Sequence, residues 1–232
     1  MLKTLLRYLR EERNIEKYLD EFEQSVKATH KKEKFGDTVL FSPIEPSLEN
    51  SLLITAGVQG DEPAGWVALR RWAKTGKIPN NVFVIPVMSF ESFENETHYD
   101  DEGQNVNHDI PKDPSDEMKN IIDKKDELRK MSKNGFLSLQ EDPNRSEGYL
   151  FVWKDNSGIA KNLLEIMKSH FSIYEDGIIG LEDDQGMFGE YAVRTLDTPN
   201  AFTTETPVLE NSLSKRVQAQ VEMIQEFVRR LS

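Results

Sequence analysis

Ile54-Thr-Ala-Gly-Val-Gln-Gly-Asp-Glu-Pro-Ala-Gly65 is the stretch that decides the fold. An apolar run ends in glycines and passes at once into a helix start. Residues 51–55 read as a short buried strand and residues 63–75 as a helix. Pro63 suits the first helical position, where its missing N–H loses no bond. Gln59 and Glu62 fall at the junction, where a tight turn can aim both side chains at one point above the sheet edge. Open α/β sheets place ligands in crevices beyond the carboxyl ends of their strands. The same spacing is equally that of an ordinary strand–helix turn with a capping acid.

Outward from this junction, strands alternate with helices. Residues 38–41 read as a strand, separated from the next by the turn-rich segment 42–50. Residues 82–88, 135–140, 149–153 and 201–205 are further apolar strands. Residues 116–133, 159–170 and 213–231 are helical, the last carrying Val217, Val221, Ile224, Val228 and Leu231 on one face. That face reads as core, with a partner-binding seam as the alternative. Residues 91–114 have no period and are rich in Asp, Asn, Glu and Gly; loops of that length in compact domains are uncommon and often functional. At the N-terminus Leu2, Leu5, Leu6 and Leu9, then Ile15, Tyr18, Leu19, Phe22 and Val26, recur at helical spacing. The expected organisation is a helical segment over residues 1–35 packed on a layered α/β domain of residues 36–232.

Lys plus Arg number 29 against 41 Asp plus Glu, a net charge of −12. That balance argues against nucleic acid as a partner, since a phosphate backbone demands clustered basic residues. It leaves room for a cationic or zwitterionic small molecule. The absence of cysteine excludes disulfides, thiolate metal sites and a cysteine nucleophile. No apolar run approaches the ~18 residues of a membrane span. The first ten residues also lack the uninterrupted apolar segment and small-residue cleavage site of a secretion signal, so the expected location is cytoplasmic. Oligomeric state leaves no mark on the sequence.

Two further strands end in polar side chains. Gly135-Phe-Leu-Ser-Leu-Gln-Glu-Asp-Pro143 delivers Gln140, and Phe202-Thr-Thr-Glu-Thr-Pro207 delivers Glu205. A carboxylate at a strand end is a general base if it faces a cleft. Three strand ends presenting Gln59 with Glu62, Gln140 and Glu205 form a stronger pattern than any one alone. In this order the motifs resemble those of the zinc carboxypeptidase superfamily, which includes succinylglutamate desuccinylase and aspartoacylase-like enzymes. Gly57-Val-Gln-Gly-Asp-Glu-Pro-Ala-Gly65 is similar to its first zinc motif, Gly-x-His-Gly-(Asp/Asn)-Glu-Pro-x-Gly. Ser138-Leu-Gln-Glu-Asp142 is similar to the second, Ser-Leu-His-Glu-Asp. Asn105-Val-Asn107-His108 stands where the substrate motif Asp/Asn-x-Asn-Arg is expected, and His98 where an upstream substrate arginine is. Thr203-Thr-Glu-Thr-Pro207 is similar to the setting of the catalytic glutamate.

The resemblance implies an α/β fold with a mixed, mostly parallel central sheet flanked by helices. It implies Glu205 as the catalytic residue, Gln59, Glu62 and Gln140 as metal ligands, and Asn107, His108 and His98 as substrate-binding residues. Tyr191 and Arg194 are positional candidates for a mobile tyrosine and a substitute arginine, or else surface residues. Zinc is the cofactor implied, yet both zinc histidines are Gln here, and a neutral amide oxygen is a poorer donor than imidazole to a borderline-soft ion. Another divalent ion that prefers oxygen, or no metal, is the alternative. Both substrate arginines are His, which cannot reproduce a bidentate guanidinium grip on a carboxylate. A third arrangement has His98 and His108 holding a displaced metal with Glu62 or Glu205. Two classes of function follow. One is an atypical metallohydrolase cleaving an amide beside a free carboxylate, in a peptide, cell-wall peptide or N-acyl amino acid. The other is a pseudoenzyme that keeps the pocket for binding.

Overall fold

Strands covered on both faces need near-continuous apolar runs, and three segments supply them: β3 (Leu52–Ala56), β4 (Val82–Ile85) and β5 (Gly135–Asp142). β3 and β4 are buried along their whole length. They form the centre of an eight-stranded sheet completed by β1 (His30–Phe35), β2 (Thr38–Pro43), β6 (Gly148–Asp155), β7 (Ile173–Ile179) and β8 (Asn200–Pro207). The order across the sheet is β1-β2-β4-β3-β5-β8-β6-β7. The inner strands β4, β3, β5 and β8 run parallel, β1 and β2 add an antiparallel hairpin at one edge, and β6 returns antiparallel to β8. The sheet is thus mixed and flanked by helices, as the motif order implied. The computed structural model describes residues 13–76, 78–108, 110, 112–180 and 186–232. The apolar stripe from Leu2 to Leu9 lies outside the described residues.

One face is covered by α1 (Ile15–Val26), α2 (Pro63–Ala73), α6 (Ala160–His170) and α8 (Leu213–Leu231). Asn14 and Ser212 cap α1 and α8 by accepting from Lys17 N and Lys215 N. The stripe Val217, Val221, Ile224, Val228 and Leu231 is buried in the core. Tyr18 of α1 donates its hydroxyl to Trp66 O and meets the Trp66 ring edge-on at 5.4 Å, tying α1 to α2. The other face carries α4 (Asp116–Ile122), α5 (Lys125–Met131) and α7 (Phe188–Arg194) over a second apolar cluster around Phe136, Trp153 and Phe188.

The structure departs from the sequence expectations in several places. The helical N-terminal run ends at Val26, and residues 30–35 are an edge strand rather than helix. His-Lys-Lys-Glu-Lys-Phe buries only its two ends, and edge strands rich in Lys carry no apolar alternation to read. The expected helix over 116–133 divides into α4 and α5 at Asp123–Lys124. The long loop contains a short helix, α3 (Phe90–Asn95), capped by Ser89. β7 and α7 were not foreseen because neither has a clean apolar period.

Candidate functional site

The parallel strands β3, β5 and β8 all end on the same side of the sheet. The chain leaves β3 toward β4 on one flank, and β5 then lies on the other, so a crevice opens between the ends of β3 and β5. Gln140 and Glu205 are paired residues of β5 and β8, and Tyr149 of β6 is paired with Glu205 from the other side. Residues on one rung of a sheet project to the same face. Register alone therefore sets Gln140, Glu205 and Tyr149 side by side.

The β3–α2 turn brings the remaining groups. Gly57 takes a left-handed φ of +58°, which favours glycine. Gly60 lies so close to α3 that a Cβ there would sit 1.7 Å from Ser92 O. Between them Gln59 is directed into the crevice, and Glu62 follows at the N-terminus of α2. Gln59, Glu62, His98, Asn107, His108, Gln140 and Glu205 all line one cavity of about 180 Å³. Glu62 is 3% and Glu205 5% exposed.

The amide groups are locked by a hydrogen-bond chain whose orientation is anchored by backbone N–H groups. Phe188 N donates to Asn107 Oδ1 (3.2 Å), so Asn107 Nδ2 is the atom that donates to Gln140 Oε1 (2.9 Å). Gln140 Nε2 in turn donates to Ser138 Oγ (3.0 Å). Asn107 N donates to Asn105 Oδ1 (3.1 Å), so Gln59 must approach that oxygen with Nε2, at 2.9 Å. His98 Nδ1 lies 2.6 Å from Asp61 Oδ2, and its Nε2 is 3.6 Å from Glu62 Oε1. Glu62 Oε2 accepts from Glu141 N at 3.1 Å.

Burial pushes the Glu62 carboxyl well above the ordinary range, and the neighbouring Glu205 charge adds to the shift. Glu205 is raised likewise, first by burial and then by Asp142 and Glu141. Two carboxyls in one enclosed pocket cannot both ionise cheaply. Tyr149 donates its hydroxyl to Asp142 Oδ2 (2.9 Å), and its own pKa is raised by burial and then by Glu205. Behind the site, on the opposite face of β5, Glu141 receives Ala64 N and the Arg216 guanidinium.

Tyr191 and Arg194 do not line this cavity. Tyr191 is buried in the second apolar cluster with its hydroxyl donating to Ile122 O (3.2 Å). Arg194 is more than half exposed and pairs with Glu190 of its own helix (2.6 Å). The physical reason is the helix itself: α7 points its first turn at Asn107, and the positions that follow rotate away. The groups missed in the sequence are Tyr149, Asn105, Asp61 and Asp142. Tyr149 had no local signal, since only the antiparallel register of β6 brings it beside Glu205. Asp61 stood in plain view between Gln59 and Glu62.

The donor set does not fit zinc. It offers one carboxylate, Glu62, and two neutral amides, one of which already has both ends of its amide engaged. Among the described residues no group of three or more His, Cys, Asp or Glu is placed to hold a metal ion. Catalytic zinc takes three protein ligands drawn from His, carboxylate and Cys.

No protein-family model matches the sequence, and no curated protein matches it. Solved structures do. A "putative metallopeptidase" from Shewanella baltica OS155 superimposes with a TM-score of 0.84 at 21% identity, covering 95% of this chain and 93% of its own. A metallo-carboxypeptidase from Burkholderia cenocepacia gives 0.69 at 13% identity, covering 92% of this chain and 67% of its own. The succinylglutamate desuccinylase from Chromobacterium violaceum gives 0.57 at 13% identity over 88% and 72%. The eight-stranded mixed sheet with its flanking helices is that of a carboxypeptidase-like α/β fold.

Proposed function

We propose that this chain uses the pocket beyond β3, β5 and β8 to bind a small peptide-like amide without zinc-dependent hydrolysis. The observation that carries the reading is the Gln140 side chain. It stands where the sequence resemblance calls for a zinc histidine, and its amide is held between Asn107 and Ser138. A locked amide positions a ligand's polar groups; it does not gather a metal. The similarity to peptide- and acyl-amino-acid-hydrolysing enzymes supports a ligand of that size and chemistry.

Elemental analysis of the purified protein, followed by zinc titration calorimetry, tests this. The expected result is far less than one zinc per chain and no uptake at tens of micromolar. Stoichiometric zinc, with amide hydrolysis that a chelator abolishes, would overturn it.

One observation favours a second reading, hydrolysis of an amide beside a free carboxylate. Glu205 is buried in the pocket with no hydrogen-bond donor among the described residues, and the Asp61–His98 pair holds an imidazole toward Glu62. In that reading Glu205 takes a proton from water and returns it to the leaving amine, while Asn107 and His108 orient the carboxylate. Metal-independent cleavage of an N-acyl amino acid that disappears in Glu205→Gln would establish it.

A further inference from the structure

The hydrogen bonds of the pocket are unevenly spent. Three of the five pocket amides already donate through nitrogen inside the protein: Gln59 to Asn105, Gln140 to Ser138, Asn107 to Gln140. The Tyr149 hydroxyl donates to Asp142, and His98 Nδ1 is held by Asp61. Among these groups, acceptors are what remain. Both Glu205 oxygens and Gln59 Oε1 have no donor among the described residues, although each residue is 5% exposed. Glu62 Oε1 has only the His98 ring at 3.6 Å. Among the described residues no lysine or arginine lines the cavity, so none of them pairs with an anion there as a permanent cation would.

Acceptors facing a narrow, largely buried cavity keep few water partners, and poor solvation costs a carboxylate the most. A ligand relieves it by bringing N–H groups, and does so best if it carries positive charge, because charge-assisted bonds are about twice as strong as neutral ones. A ligand carboxylate would instead meet the negative charge that this carboxyl pair carries, with no guanidinium among the described lining residues to offset the repulsion.

We infer that the pocket selects the ammonium end of its ligand, with Glu205 and Gln59 Oε1 accepting from it, and rejects a terminal carboxylate. The inference rests on the proposed binding function and adds the charge of the ligand to it. Specificity for a free amine follows from the same residues that leave the site without a zinc donor set.

Three small glycine derivatives decide the matter: glycinamide, which is cationic, N-acetylglycinamide, which is neutral, and N-acetylglycine, which is anionic. Each is titrated into the isotope-labelled protein near pH 7, with the Gln59 and Gln140 side-chain amide resonances as the readout. Glycinamide is expected to bind at least tenfold more tightly than N-acetylglycine, and Glu205→Gln to reduce that affinity at least tenfold. The substitution keeps shape and removes charge, so unchanged far-ultraviolet dichroism separates lost binding from lost folding. Tighter binding of N-acetylglycine or N-acetylglycinamide, or affinity untouched by Glu205→Gln, would overturn the charge assignment while leaving the binding function in place. Failure of all three probes to shift the pocket amides would remove both.

Discussion

Replacing Arg216 by Met should cost this protein about 3–5 kcal/mol, because it strands a buried carboxylate. Glu141 is 1% exposed on β5, Arg216 is 7% exposed on α8, and they form an ion pair directly behind Gln140. The other Glu141 oxygen accepts from Ala64 N (2.6 Å) at the start of α2, so the pair joins a strand to two helices. At an effective dielectric near 20, charges ~3 Å apart attract by about 5 kcal/mol, and desolvation of both groups offsets much of this. Met fills similar volume, so the loss reports charge more than cavity. Urea denaturation at pH 7.5 measures it, with an unchanged slope showing that the unfolded state is not altered. Glu141→Gln combined with Arg216→Met should recover most of the loss, since Gln still accepts from Ala64 N and carries no charge.

A pH dependence follows from the same pair. Burial already raises Glu141 to about 6 despite the Arg216 charge. Its folded pKa lies above its unfolded one, so the folded state binds more protons between them and stability falls as pH rises through that window. Losing Arg216 lifts the folded pKa further, so the deficit should be smallest near pH 5 and largest toward pH 8. A cost below about 1 kcal/mol at pH 7.5, or a double variant as unstable as the sum of the singles, would refute the reasoning.

Other expectations concern the turn, the pocket and the far edge of the sheet. Gly60→Ala places a methyl group against Ser92 O and Phe93 N, backbone atoms that cannot swing away. It should cost about 1–3 kcal/mol in denaturation and displace the Gln59 amide resonance; neither change would mean that the turn is loosely packed. Gln59→His with Gln140→His should create stoichiometric zinc binding in calorimetry, and a double variant no better than the parent would mean that the two strand ends do not converge. His30 is held below its ordinary pKa by burial, with Nε2 3.0 Å from Val82 O. The folded state therefore binds fewer protons than the unfolded state, and stability should fall as pH drops below ~6.5. His30→Gln should flatten that part of the denaturation profile.

Several links in this chain were legible before any coordinates. The apolar runs at Leu52–Ala56 and Val82–Ile85 marked the centre of the sheet, because strands covered on both faces tolerate nothing else. The strand-end positions of Gln59, Glu62, Gln140 and Glu205 were readable for the same reason: strand length and turn chemistry are local. Edge elements were not. β1 is almost wholly charged, and α7 shows no stripe that distinguishes it from loop.

What only the tertiary structure decided is which of these groups act on one another. The Gln59–Asn105 bond joins residues 46 apart in the chain and the Gln140–Asn107 bond residues 33 apart. Tyr149 reaches Glu205 through antiparallel register, and Tyr191 leaves the pocket because a helix turns it toward Ile122. Residue type and spacing specify which hydrogen-bonding groups a strand end offers. Which of them are already satisfied, and so what a ligand must bring, depends on distances set by packing between segments remote in sequence.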